Sequence, residues 1–148
     1  MQIVFNLPHV FTPDSNPGDV LSRMQKEEDN AYALRALLDC LVNLNLGYLM
    51  CHPARPLYQS GVTYGRTLWW EPIPALYQRG YGDCKSLAAA LIAQYRRAGV
   101  SASPVFRFRP RERRDGNDFH ILVQTRSGWE DPSKILGMGA DETAWMRG

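Results

Sequence analysis

Much that would commit this chain to metal, membrane or nucleic acid is missing. Its three cysteines are an odd number and none stands in a C-x-x-C pair. A disulfide framework is therefore not expected, and free thiols in a reducing compartment fit better. No D-x-D-x-D-G loop offers a calcium site and no Cys/His spacing suits zinc, so neither metal nor other cofactor is expected. No run of apolar residues approaches the roughly 18 that a membrane span needs. The opening MQIVFNLPHVF has neither the basic start nor the long apolar stretch of a secretory leader. These absences point to a cytoplasmic chain without membrane association. Charge of one sign is also scarce: 17 basic residues face 15 acidic ones, a net +2. That balance makes nucleic acid an unexpected main partner. Internal repeats and low-complexity segments are absent as well.

What is present is one domain's worth of sequence. The 148 residues are 45% hydrophobic, enough to bury a core. QIVFNL reads as a short strand, and residues 12–19 as a turn-rich connector. Residues 20–45 read as helical, in two pieces, with Asn30 able to cap the second. There Ala31, Leu34, Leu37, Leu38, Leu41 and Leu44 recur at helical spacing, and Cys40 is expected as a small buried thiol. Residues 46–82 form the irregular section, carrying CHPARP and EPIP, with a helical turn at PALYQRG. A connection of that length suits a substrate-binding wall. Trp69 and Trp70 either line that wall or pack on the core.

Residues 84–98 carry the clearest helix, with Leu87, Leu91 and Tyr95 four apart and Gly99 ending it. SASPVFRFRP then reads as a strand, Phe106 and Phe108 on one face and Arg107 and Arg109 on the other. RERRDGND is a charged turn. FHILVQT and WEDPSKIL read as further strands joined at RSG. The arginines at 107, 109, 111, 113 and 114 suit a solvated face; as a DNA-binding stripe they would show steeply salt-dependent binding.

Three short stretches bear chemistry. In RGYGDCKSLAAAL, Cys84 opens a helix, where unsatisfied N–H groups and the positive end of the macrodipole favour thiolate and can hold an oxyanion. Gly80 and Gly82 let the chain turn tightly into it. Asp83 is the N-cap by position, but its charge opposes the thiolate, so a base is required. His9 has no strong context and His52 precedes a proline, which suits surface roles. His120 lies on a strand, a rigid platform for a base. Asp131, eleven residues on, can orient the imidazole. A loop over residues 124–127 sets His120 opposite Asp131, with Cβ atoms roughly 5 Å apart. A Ser127–Gly128 loop displaces the two by about 13 Å, four residues at roughly 3.3 Å each. On this reading the Cys84–His120–Asp131 triad needs the first register, and both loops are credible.

GDCKSLAAALIAQYRRAGV, DFHILVQT and GWEDPSKI together resemble the transglutaminase-like cysteine peptidase superfamily, over about residues 76–138. The resemblance implies an α+β fold in which the catalytic helix packs on a small antiparallel sheet. It implies Cys84 as nucleophile, His120 as general base and acid, and Asp131 as its orienting group, acting on a protein or peptide substrate. Gln78, six residues before Cys84, resembles the papain-like oxyanion glutamine; Trp69, Trp70 and Tyr81 are alternative donors. The chain departs from the pattern with Lys85 after the cysteine, where relatives often carry an acid, and Leu122 where they often carry tryptophan. Lys85 either helps hold the thiolate or points to solvent. Compact versions of the domain resemble phage- and prophage-encoded proteins, which implies a host-cytoplasmic or virion-associated setting. The implied reaction is acyl transfer through a thioester. Hydrolysis, as in a peptidase or amidase, is the simpler outcome and amine-accepting crosslinking the alternative. A non-catalytic module that keeps the fold is the competing reading. As an enzyme, Cys84 is expected to react with iodoacetamide faster than Cys40 and Cys51.

Overall fold

The computed structural model describes residues 20–110 and 117–143, with side chains over residues 31–109 and 118–142. The expected strand QIVFNL, the connector 12–19, His9, the capping side chain of Asn30, and Arg111, Arg113 and Arg114 of the charged turn lie outside what is described.

The first element is one continuous helix, α1 (Val20–Cys51), rather than two pieces. No proline interrupts residues 20–51, so nothing forces a break. Leu38, Leu41, Val42 and Asn45 form its buried stripe. Cys40 and Leu44, both expected inside, are exposed. Cys40 stands two positions from Leu38, about 200° round the helix, so burying one turns the other outward. The segment Ala31–Cys51 is, by length and composition, apolar enough to cross a membrane, with 22% of that window buried in this fold. The expectation that nothing here approaches a span does not hold: Arg35, Asp39, Asn43 and Asn45 interrupt the run to the eye without lowering the average enough. Leu38, Leu41 and Val42 join the core cluster that also includes the helix bearing Cys84.

The irregular section is more ordered than its prolines suggest. A 3-10 turn at Leu57–Gln59 leads to β1 (Thr63–Tyr64), α2 (Ile73–Arg79) and β2 (Tyr81–Gly82), with β1 and β2 paired in parallel. Asn45 of α1 reaches across to α2, its Oδ1 accepting from the Ile73 N–H at 2.7 Å. Pro74 sits in the first turn of α2, where a missing N–H costs nothing. Gly80 ends α2 at φ 82°, its N–H donating to the Leu76 carbonyl at 2.9 Å; a side chain is strained in that left-handed conformation. At Gly82 the constraint is space, since an added Cβ would stand 2.5 Å from Leu76 Cδ1. These two glycines bring the chain sharply from α2 into the next helix.

That helix, α3 (Cys84–Arg97), is the centre of the molecule. Every residue from Cys84 to Ala93 is buried. It packs on α1 on one side and on the antiparallel sheet on the other. The sheet comprises β3 (Ala102–Pro110), β4 (Asn117–Thr125) and β5 (Gly128–Glu130), in that order. Ala102, Ile121 and Val123 from the sheet join Leu87, Ala88 and Ile92 of α3 in the core. The fold is thus α+β with a small antiparallel sheet, as expected. The stretch after Glu130 is not strand throughout. Asp131 caps a short helix, α4 (Pro132–Ile135), accepting from the Lys134 N–H at 3.1 Å. Pro132 cannot donate to a sheet ladder but suits the first turn of a helix. A last turn, α5 (Ala140–Thr143), returns Glu142 to Tyr64 and Arg66.

Leu87 is fully buried where α1, α3 and the sheet meet. Leu87→Ala is expected to destabilise the fold by about 2–5 kcal/mol, read from the shift in a urea unfolding midpoint at unchanged slope.

Candidate active site

The sequence places Cys84, His120 and Asp131 on three separate elements, and the fold draws those elements together around the start of α3. Cys84 is the first residue of that helix and is 8% exposed. His120 is on β4 and is 2% exposed. Its neighbour Ile121 is fully buried too. Successive strand residues point to opposite faces, so both faces of β4 are covered here. Inside that covered region His120 Nε2 donates to Asp131 Oδ2 at 3.0 Å. The other carboxylate oxygen, Oδ1, accepts from Lys134 N–H, so Asp131 is fixed by α4 while it fixes the imidazole. With Nε2 engaged, Nδ1 is the ring nitrogen left to exchange a proton.

The register that delivers this contact is neither of the two weighed from sequence. Thr125 pairs with Gly128, Gln124 with Trp129 and Val123 with Glu130, leaving Arg126 and Ser127 as a two-residue turn. Extended by one residue, that register would set Asp131 against Leu122, two positions from His120. The contact is therefore diagonal, a spacing of roughly 7–8 Å between backbones that two side chains can bridge. It is completed because the chain leaves the strand at Asp131 to begin α4. Direct opposition is not required, and the shorter turn is compatible with the pair. Glu130 steadies the same junction, accepting from Tyr58 OH at 2.7 Å and Tyr95 OH at 2.6 Å. Burial and this carboxylate raise the Tyr58 hydroxyl above its ordinary range, and the same carboxylate, with burial, pushes Tyr95 up to about 12.

Around the sulfur the electrostatics are mixed. Burial pushes the Cys84 thiol up to about 12, and Asp83 and Asp131 push the same way. Lys85 and the Ile121 N–H act against them. The Ile121 influence puts the sulfur beside the peptide joining His120 to Ile121. Asp83 occupies the N-cap position but makes no capping hydrogen bond with its side chain. Its carboxylate pairs instead with Lys85 Nζ. Burial still raises Asp83 above the usual carboxylate range, with Lys85 opposing. Lys85 itself is 5% exposed, which removes the option of a lysine pointing to solvent. Its Nζ also donates to the Thr67 carbonyl at 2.6 Å and lies 6.0 Å from the centre of the Trp70 ring.

The candidate oxyanion and substrate residues separate into different settings. Trp70 is half-buried, joins the core and tilts against Phe119 at 6.4 Å between ring centres. Trp69 is 63% exposed. Tyr81 is exposed and lies under the Arg79 guanidinium at 5.7 Å. Gln78 is exposed on α2 and its side chain makes no hydrogen bond among the described residues. His52 is exposed and stacked on Tyr48, in keeping with a surface role. Arg107, directly across from His120, stacks over Trp129 at 4.4 Å instead of standing free in solvent.

Two contributors escaped sequence reasoning. Tyr64 on β1 lies near enough for the Cys84 charge to act on it, and its hydroxyl donates to Glu142 Oε2 at 3.0 Å. Ser86 ties the segment after β1 to α3: its Oγ accepts from the Glu71 N–H at 3.0 Å and donates to the Trp69 carbonyl at 3.4 Å. The only available signal for Tyr64 was a β-prone VTY before a glycine. Ser86 carried none, because a serine in the first helical turn reads as a capping residue. Among the described residues no group of His, Cys, Asp and Glu could hold a metal ion. Comparison with family models, curated proteins and solved structures finds no match to this chain.

The setting of the sulfur reverses the labelling order expected from sequence. Cys40 and Cys51 are exposed and Cys84 is buried. A thiol pushed up to about 12 carries roughly a thousandfold less thiolate at neutral pH than an ordinary one. Iodoacetamide at pH 7.5 is expected to label Cys40 and Cys51 before Cys84. Peptide mapping of partly labelled native protein gives that order, and all three sites should label at similar rates in urea.

Proposed function

We propose that this chain is a transglutaminase-like cysteine enzyme that cleaves an amide or peptide bond through a thioester on Cys84. The observation that carries the reading is the buried His120–Asp131 hydrogen bond of 3.0 Å, set beside a cysteine at the start of a central helix. A surface imidazole rarely needs such a partner, whereas a base that must hold one tautomer does.

The raised pKa of the thiol, caused by its burial, shapes the mechanism. Cys84 rests as a thiol and loses its proton as it attacks. Its proton passes to His120 Nδ1 while sulfur bonds to the substrate carbonyl carbon. The resulting oxyanion meets the backbone N–H of Cys84 at the positive end of α3. The C–N bond then breaks, and the imidazolium returns its proton to the leaving amine. Water attacks the thioester carbonyl and gives a proton to His120; the C–S bond then breaks, the carboxylic acid leaves, and His120 returns its proton to the sulfur, restoring the thiol. Asp131 keeps Nε2 protonated throughout, so that Nδ1 alone takes and gives the proton. The exposed Trp69 and Leu68 give an apolar flank to a peptide substrate. Replacing water with an amine would turn the same steps into crosslinking.

A second reading, a binding module that keeps the fold without catalysis, is favoured by one observation: the sulfur is nearly enclosed and its thiol is strongly disfavoured from ionising. The two readings separate in one experiment. Full-length protein is mixed with a panel of peptide p-nitrophenyl esters and peptide amides and followed by intact mass. The enzyme reading expects an acyl adduct on Cys84 that hydroxylamine removes and Cys84→Ala abolishes. His120→Ala should slow its formation by roughly 10²–10⁴-fold. The module reading expects no adduct at Cys84 with any member of the panel.

A further inference from the structure

Lys85 follows the candidate nucleophile directly, yet it is turned away from solvent. Its ammonium group has two protein oxygens as partners, the Asp83 carboxylate and the Thr67 carbonyl, with the Trp70 ring beneath it. A buried lysine is costly unless paired and hydrogen-bonded, and here both conditions are met. Asp83 and Lys85 flank Cys84 in sequence, so both charges stand within one helical turn of the sulfur. Asp83 alone would place a buried negative charge there, the opposite of what a nucleophilic thiol requires.

We propose that Lys85 is the positioning residue of this site: it cancels the Asp83 charge beside Cys84 and fastens the residue 67–70 wall to the first turn of α3. The proposal deepens the acyl-transfer reading of the same sulfur. Other charged or titratable groups around Cys84 are already committed elsewhere. His120 and Asp131, from β4 and the start of α4, hold each other. Tyr64 of β1 is bound to Glu142 of α5, which also pairs with Arg66. Glu71, at the far end of the wall, pairs with Arg79 at 2.6 Å. Lys85 is thus the cation placed to answer Asp83. It acts on the sulfur's acidity through the field and on substrate position through the Thr67 carbonyl.

The test reads Cys84 alone, in a Cys40→Ser/Cys51→Ser background, as the rate of iodoacetamide labelling between pH 7.5 and 9.5. Below the thiol's midpoint, the rate follows the thiolate fraction and rises tenfold per pH unit. Lys85→Met removes the cation and leaves the Asp83 carboxylate uncancelled beside the sulfur. Its line should fall below the parent by several-fold to about tenfold at every pH. Asp83→Asn should lie above the parent, and Asp83→Asn/Lys85→Met between the two. The opposed directions are diagnostic, because loosening the wall would speed labelling in both single variants. Should Lys85→Met fail to fold by circular dichroism, Asp83→Asn and the double variant still give the ordering. Unchanged rates, or both single variants moving the same way, overturn the proposal. No substrate is used, so a chain that forms no acyl adduct but shows the opposed shifts refutes the catalytic reading and leaves this one standing.

Discussion

The arrangement around Cys84 depends on one buried hydrogen bond, from His120 Nε2 to Asp131 Oδ2. A neutral imidazole with one nitrogen donating to a carboxylate presents the other as a base, and burial prevents water from competing for either. Much of the surrounding fold can be read as support for that bond. β4 supplies the histidine on a strand whose next residue, Ile121, is locked in the core. The two-residue turn at Arg126 and Ser127 sets a register in which Asp131 would face Leu122, two positions from His120. α4 then begins at once, so that Asp131 can bend toward the ring and be held by Lys134 N–H. Tyr58 and Tyr95 anchor the preceding Glu130 through their hydroxyls.

The second constraint is how the chain reaches Cys84. α2 must stop, turn and deliver the start of α3 into the interior within four residues. Gly80 accepts the left-handed turn and Gly82 accepts the close approach of Leu76. The result is a helix whose first turn is buried, including its lysine and serine. Burial disfavours thiolate and Asp83 worsens it, so the geometry that brings the sulfur to the start of α3 also suppresses its ionisation. Lys85 and the helix end offset part of that suppression. A thiol under these opposing influences rests protonated.

The parts of this organisation that were legible in the sequence are those carried by strong local patterns. The helix at Cys84 was readable because leucines and alanines repeat at its spacing and Gly99 closes it. The strands at residues 102–110 and 119–125 were readable from alternation and β-branched content. Cys84, His120 and Asp131 stood out by residue type and order. Their contact was not legible, because it depends on a register that one residue of turn length decides. Asp131–Pro132 as the start of a helix was masked by the hydrophobic run after it. The rotation of α1 was also misjudged at Leu44 and Cys40, since two leucine stripes compete on one helix and only packing against α3 selects between them. Lys85 was invisible as a buried group for a different reason. Its environment is built by Thr67 and Trp70, from a loop whose path no periodicity reveals.

The most direct test of this account is nitrogen-resolved NMR of the histidine rings in the full-length protein, assigned through His120→Gln. The neutral His120 ring is expected to carry its proton on Nε2, with Nδ1 bare, and to show nuclear Overhauser contacts to the Cys84 Cβ protons. A proton on Nδ1, or a ring with no such contact to Cys84, would contradict it.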